Sequence, residues 1–160
     1  MAQSPSFNMK GMTSADKILL GATALFFIDT FLPWQRVCAS FLTITACASA
    51  SAWGGSAAFL GVLAALFALA LLVWVGLSMA GVSLNVGMPG SSVSAILVAG
   101  TVLFGVLKFL FSAFNHGGFG AWVGIILLLA IAYGGYMKMQ EPKTAPAAPP
   151  PPPPVGGPTV

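Results

Sequence analysis

Charged residues are scarce in this chain of 160 amino acids, which has 6 Lys and Arg, 3 Asp and Glu and 1 His, so that only 6% of its residues are charged. Soluble globular proteins carry roughly 25% charged residues, because water must solvate their surface. Three carboxylates, one histidine and two cysteines leave few groups for acid–base catalysis or metal binding. We therefore expect a membrane protein that is not an enzyme, with no cofactor, no metal site and no nucleic-acid partner.

Apolar residues dominate instead, at 58% of the chain. A helix that crosses the roughly 30 Å hydrocarbon core of a bilayer needs about 17 to 25 mostly apolar residues. The chain has four such stretches, at residues 18–34, 56–79, 91–114 and 119–139. Backbone groups in lipid must be satisfied within the segment, and the alternation of a barrel strand is missing. The predicted fold is an all-α integral membrane protein, a bundle of four transmembrane helices within residues 17–139.

The positive charges predict the orientation of the chain. Four lysines flank the first and fourth stretches on the side of the termini: Lys10, Lys17, Lys138 and Lys143. Basic residues are retained in the cytoplasm, and four spans put both termini on one side. We therefore expect a multi-pass plasma-membrane protein with cytoplasmic termini and a cytoplasmic segment at residues 1–16.

A cleaved signal peptide is the alternative interpretation of the first apolar stretch. The hydrophobic run of this stretch is long for a signal peptide, and the nearest small-residue site, around residues 48–50, lies far beyond it. Ile44 to Cys47 resembles a lipid-attachment sequence, but Arg36 interrupts the apolar stretch that such a signal requires. We expect an uncleaved first span.

The two halves of the chain show a weak repeat. Aligning residues 18–32 with residues 96–110 gives 7 identities in 15 positions, among them Thr23 with Thr101. If the repeat is structural, it predicts two helical hairpins of like orientation, related by an axis along the membrane normal.

Several short motifs are similar to those of a known group of proteins. They are Phe27-Ile28-Asp29 with Leu32-Pro33-Trp34, then Ser51-Ala52-Trp53, and finally Gly134-Gly135-Tyr136-Met137-Lys138-Met139-Gln140-Glu141, which runs into a proline-rich tail. Over most of residues 14–141 the chain resembles small four-span actinobacterial membrane proteins of unknown function. The resemblance implies the topology and the cellular context, and it implies no activity.

The only two cysteines, Cys38 and Cys47, lie between the first two stretches. This link is predicted to lie outside the cell, where disulfides persist. The residues between them include β-favouring types that could form a small hairpin and bring the sulfurs together. The sequence leaves open a disulfide and, as the alternative, two small apolar residues in a partly buried loop.

Small residues recur at four-residue spacing, which lets helix backbones approach closely. One pair is Gly120 and Gly124, and a second row is Ala57, Gly61 and Ala65. We expect both rows to pack inside the bundle, and self-association of two copies through them is the alternative.

The C-terminal segment at residues 140–160 contains 9 of the 12 prolines. Its central run is Pro149, Pro150, Pro151, Pro152, Pro153 and Pro154. Six consecutive prolines adopt an extended polyproline II rod, which docks in aromatic grooves at little entropic cost. We expect a disordered cytoplasmic tail, and the pattern fits a ligand for a polyproline-binding partner and a spacer equally well.

Asp29 and Lys108 are the two charges well inside the predicted spans. Ionisable residues at such depth are costly unless they are paired or face a polar interior. Both are at comparable distances from the outer ends of their spans, so we predict an intramembrane ion pair between them, with either a structural or a transport role.

These features favour a non-enzymatic function. We expect an accessory or scaffolding subunit that associates with a membrane protein, or with further copies of itself, and that engages a cytoplasmic partner through its tail. The alternative is a small transporter or channel that uses Asp29 and Lys108. Against it stand the shortage of polar residues in the inner half of the spans and the absence of a broken helix.

Overall fold

The computed structural model describes residues 13–82, 87–114 and 117–141. In chain order the elements are α1 (Ser14–Asp29), β1 (Pro33–Phe41), β2 (Ile44–Ser51), α2 (Ala58–Met79), α3 (Gly90–Phe114) and α4 (Phe119–Gln140). Within the described residues, α2, α3 and α4 are long and apolar enough to cross a membrane. The protein is therefore mostly helical, with the character of a helical membrane protein. The proline run, from Pro149 to Pro154, lies outside the described residues.

The four helices pack side by side, each against two neighbours in the cyclic order α1, α2, α3 and α4. Adjacent helices are antiparallel: Leu19 of α1 lies beside Gly134 of α4, while Asp29 lies beside Gly124. The shared core consists mainly of alanine and leucine side chains, with single Phe, Val and Ile residues: Leu19, Ala22, Phe26, Ala64, Ala68, Leu71, Val75, Ala121, Leu128 and Ile131. We call the end at which α1 ends the hairpin end and the opposite end the termini end.

Helix α1 begins and ends earlier than the predicted first span, which ran from Ile18 to Trp34. The helix ends at Asp29 because Pro33, four residues later, has no N–H to continue the helical hydrogen bonds and begins a strand. Its 16 residues rise about 24 Å. Hydropathy alone placed the boundary too late, since Leu32 and Trp34 are apolar but lie outside the helix.

The link between α1 and α2 is a two-stranded antiparallel hairpin, so the all-α prediction omits a sheet. Cys38 faces Cys47 and Phe41 faces Ile44 in its register, and Leu42 turns the chain with a positive φ of 55°. By contrast, only residues 115–118 separate α3 from α4. The two predicted helical hairpins therefore have different links. The residues aligned after Asp29 are helical in α3 but lie outside α1.

An ion-pair network closes the termini end. Thr13 caps α1 by accepting a hydrogen bond from the Asp16 N–H at 3.3 Å, which satisfies one of the free N–H groups of the first turn. Lys138 of α4 pairs with Asp16 at 2.8 Å and with Glu141 at 3.0 Å. The first turn of α1 is thereby joined to the last turn of α4.

Candidate functional site

The hairpin is attached to the helices through a group of polar residues that we call the anchor cluster: Gln35, Gly54, Ser56, Lys108 and Ser112. The Ser56 N–H donates to Oε1 of Gln35 at 3.0 Å, and Nε2 of Gln35 donates to the Ser56 carbonyl at 3.4 Å. The same Nε2 donates to the Ser112 hydroxyl at 3.5 Å. One buried side chain thus joins β1, the β2–α2 link and α3.

Lys108 is the charged member of the anchor cluster and is fully buried, with 0% of its surface exposed. Its Nζ atom donates to the carbonyls of Gly54 at 2.9 Å and Ser56 at 2.7 Å. Hydrogen bonds from an ionised donor are roughly twice as strong as neutral ones. Lys108 therefore fastens the β2–α2 link to α3.

The structure does not contain the predicted ion pair between Asp29 and Lys108. Their depths do match: Gly124 lies beside Asp29, and Gly105, one turn before Lys108, lies beside Leu128, one turn after Gly124. The Lys108 ammonium is turned towards the hairpin end, where it donates hydrogen bonds to two backbone carbonyls. Both carboxylate oxygens of Asp29 are buried without a hydrogen-bond partner.

Two tryptophans reinforce the junction between α1 and the hairpin. Trp34 is buried, and its indole N–H donates to the backbone carbonyl of Asp29 at 3.0 Å. The Trp34 carbonyl accepts from the Gly118 N–H at 2.7 Å, which connects β1 to the start of α4. The Trp53 indole N–H donates to the Thr30 hydroxyl at 3.0 Å. These contacts fix where the hairpin leaves the helices.

Beyond this base the hairpin is exposed and amphipathic. Successive side chains of a strand point to opposite faces, so the register divides the hairpin into two surfaces. The surface that we call the alanine face comprises Val37, Ala39, Ile44, Ala46 and Ala48, all exposed, with Val37 at 49% and Ile44 at 73%. The polar face comprises Arg36, Cys38, Ser40, Thr45, Cys47 and Ser49.

The sulfur atoms of Cys38 and Cys47 are bonded on the polar face, so of the two alternatives the structure has the disulfide. The two residues are directly opposite in the register. An isolated two-stranded hairpin is marginally stable in water, and a covalent cross-link restricts its unfolded state. The disulfide therefore stiffens the part of the hairpin that the anchor cluster does not reach.

The row of Gly120 and Gly124 packs inside the protein. A Cβ atom at Gly120 would approach the Trp34 ring to 2.9 Å, and one at Gly124 would approach the Asp29 carboxylate to 2.8 Å. Both contacts are closer than normal van der Waals separation. The two glycines give α1 and β1 the space to pack against α4.

The second row is only partly helical. Ala57 precedes α2 in a left-handed conformation, with φ of 53°, so it does not share a helix face with Gly61 and Ala65. Ala65 is fully buried. Gly61 lies against the backbone carbonyl of Ala52, which a Cβ atom would overlap. Gly61 thus allows the end of the hairpin to contact the first turn of α2.

A groove of about 280 Å³ lies at the termini end. Its walls are mostly apolar and come from α3 and α4, including Val98 and Met139, with Leu19 of α1. Lys138 also lines it but is paired with Asp16 and Glu141.

Across the described part of the chain, no group of three or more His, Cys, Asp or Glu residues could hold a metal ion. The polar chemistry of the site is concentrated at the hairpin end.

Asp29, Lys108 and the cysteines were predicted as site residues, whereas the contacts of Trp34, Gln35 and Trp53 and the carbonyls of the β2–α2 link were not. A polar glutamine between a tryptophan and an arginine gives no signal of burial. Its partners, Ser56 and Ser112, are 21 and 77 residues away, so no local pattern could reveal them.

Comparisons of the chain with protein-family models, with curated proteins and with solved structures find no match.

Proposed function

We propose that the protein crosses the plasma membrane four times, with both termini in the cytoplasm and the hairpin outside. The lysine distribution supports this orientation. Helix α1 has only 16 residues, but it packs along α4 from Leu19 at the termini end to Asp29 at the hairpin end. The turn at residues 30–32 adds length beyond the helix, which supports a first crossing of the same apolar layer that α4 crosses.

Its function in this proposal is that of an accessory or scaffolding subunit, which presents the rigid hairpin to a membrane protein complex. The observation that carries the proposal is the exposed alanine face on a hairpin that a disulfide and a buried lysine hold in place. Protein surfaces that are exposed to water rarely have a large contiguous apolar patch, and such a patch usually marks a binding site. Arg36 is the one charged residue in β1 and β2, so the two strands are nearly uncharged.

A partner protein fits the hairpin better than lipid does. Beyond the base, where Gly118 bonds the Trp34 carbonyl, the outer edges of a two-stranded sheet present unpaired N–H and C=O groups, and natural proteins block such edges with lysine or proline. Between Trp34 and Ser51 the strands contain neither residue. A lipid chain cannot satisfy backbone hydrogen bonds, whereas an added strand from a partner can. We therefore expect a partner with an extended apolar segment outside the cell.

The proline-rich tail gives the scaffold a second attachment point in this proposal. Its six-proline run is a ligand of the kind that aromatic grooves bind, and the proposed topology places it in the cytoplasm. The subunit would then connect a partner in the membrane to one inside the cell.

Photo-crosslinking in intact cells tests the proposal. We expect benzoylphenylalanine at Ile44, on the alanine face, to give a discrete protein adduct in high yield. The same group at Thr45, on the polar face, serves as the matched control and gives little adduct, because neighbouring positions point to opposite faces. Mass spectrometry of the adduct identifies the partner.

A chain truncated after Glu141 is the second control. It keeps the Lys138 ion pairs, so its expression and the adduct from position 44 should stay unchanged while a cytoplasmic partner is lost. Equal adducts from positions 44 and 45, or lipid adducts alone, would contradict the scaffold proposal.

A small transporter or channel is the second candidate. Lys108 is poorly suited to it, since the ammonium is committed to two carbonyls. The unpartnered carboxyl group of Asp29 is the observation in its favour, and proton or ion flux that is lost on Asp29→Asn substitution would support this candidate.

A further inference from the structure

The carboxyl group of Asp29 has an environment that no other acidic group of the described chain shares. Asp29 is 2% exposed, and neither of its oxygens has a hydrogen-bond partner. Asp16 is paired with Lys138, and so is Glu141. These three residues are all the acids of the sequence, so Asp29 alone lacks a donor or a counter-ion.

The surroundings of the carboxyl group are apolar. One oxygen lies against Gly124 of α4, next to the Trp34 ring. The Trp34 indole N–H is used by the backbone carbonyl of Asp29. An ionised carboxylate without donors is strongly disfavoured in such a medium, and buried groups of this kind become neutral instead.

The elements packed around Asp29 offer no charged group that would stabilise an ionised carboxylate at this position. On α4 the carboxyl group lies against Gly124, and the ionisable residues of that helix, Tyr133, Tyr136 and Lys138, lie towards its other end. On β1, Arg36 is exposed on the polar face. On α3, Lys108 is at the same depth but bonds two carbonyls, and α2 contains no ionisable residue.

We propose that Asp29 is a proton-binding site: its carboxyl group carries a proton in the folded protein and is neutral inside the helix bundle. The inference does not depend on the scaffold function. It assigns to Asp29 a state opposite to the ionised state that an ion pair with Lys108 requires.

Infrared spectroscopy of the full-length protein in lipid tests the state directly, because a protonated carboxyl group has a carbonyl stretch that a carboxylate lacks. We expect this band at neutral pH. Incorporation of ¹³C-carboxyl aspartate should shift it, which assigns it to Asp16 or Asp29, the two aspartates of the chain. Asp16→Asn should leave the band in place, so Asp29 is identified without being substituted.

Asp29→Asn should abolish the band. If that variant does not accumulate, the labelled Asp16→Asn protein still shows whether the band belongs to Asp29. Absence of the band at neutral pH, a band that does not respond to aspartate labelling, or a band that disappears in Asp16→Asn would each overturn the proposal.

Discussion

Replacing Lys108 with methionine should lower the free energy of unfolding by about 3 kcal/mol, since a buried polar group left without its partner costs roughly 1 to 3 kcal/mol. Methionine fills the same space, but the part-buried carbonyl of Gly54 loses its donor, and that of Ser56 keeps only the Gln35 amide at 3.4 Å. A protein often keeps its stability when both residues of a buried ion pair are replaced by apolar ones. Here the acceptors are backbone groups that no substitution can remove, so destabilisation dominates. Thermal unfolding in mild detergent measures the effect.

Lys17→Met is the matched control, because Lys17 is exposed on α1. Its effect should stay within about 0.5 kcal/mol, as for most surface substitutions. Limited proteolysis adds a local readout: the β2–α2 link should be cut faster in Lys108→Met than in Lys17→Met. If both variants unfold like the wild type, Lys108 does not anchor the hairpin.

Gly61→Ala should destabilise the protein by about 2 kcal/mol, within the range expected for an overpacked core. The added Cβ atom overlaps the carbonyl of Ala52, and this backbone group cannot rotate away as a side chain would. The Ala52 N–H also bonds the Thr30 carbonyl at 3.0 Å. Relief of the clash therefore requires the end of the hairpin to move away from α2. Differential scanning fluorimetry in detergent measures the change in stability.

Gly76→Ala is the control in the same helix, since a Cβ atom there has no neighbour within 4 Å. Alanine favours the helix over glycine by about 1 kcal/mol, so this variant should be neutral or more stable. The same substitution thus has opposite effects at two positions of α2. Equal effects at both positions would show that the contact between Gly61 and Ala52 does not limit the packing.

Much of the helical architecture could be predicted from the sequence, because long apolar helices correspond to long apolar stretches of residues. The predicted 91–114 and 119–139 segments nearly coincide with Gly90–Phe114 and Phe119–Gln140. The first span was predicted too far along the chain, at 18–34 instead of Ser14–Asp29, since hydropathy does not register the missing N–H of Pro33 that ends α1. Ala57 was likewise assigned to a helix face, although its backbone lies in the left-handed region.

The site was harder to predict than the helices. Matching the depths of Asp29 and Lys108 along their helices was possible from residue spacing, and the packing of Gly124 and Gly105 agrees with it. Depth does not determine where a flexible lysine side chain points. Its acceptors are carbonyls more than 50 residues earlier in the chain, and every residue type has a carbonyl, so the sequence contains no signal for that choice.

The central claim is that the chain crosses the membrane four times and holds the hairpin on the side opposite to the termini. Both native cysteines are bonded to each other, so a thiol introduced elsewhere can be labelled alone. Phe114→Cys, at an 85% exposed position at the hairpin end, should react with an impermeant maleimide on intact cells, whereas Thr144→Cys should react only after the cells are opened. Labelling of Thr144→Cys on intact cells, with Phe114→Cys protected or equally reactive, would contradict the claim.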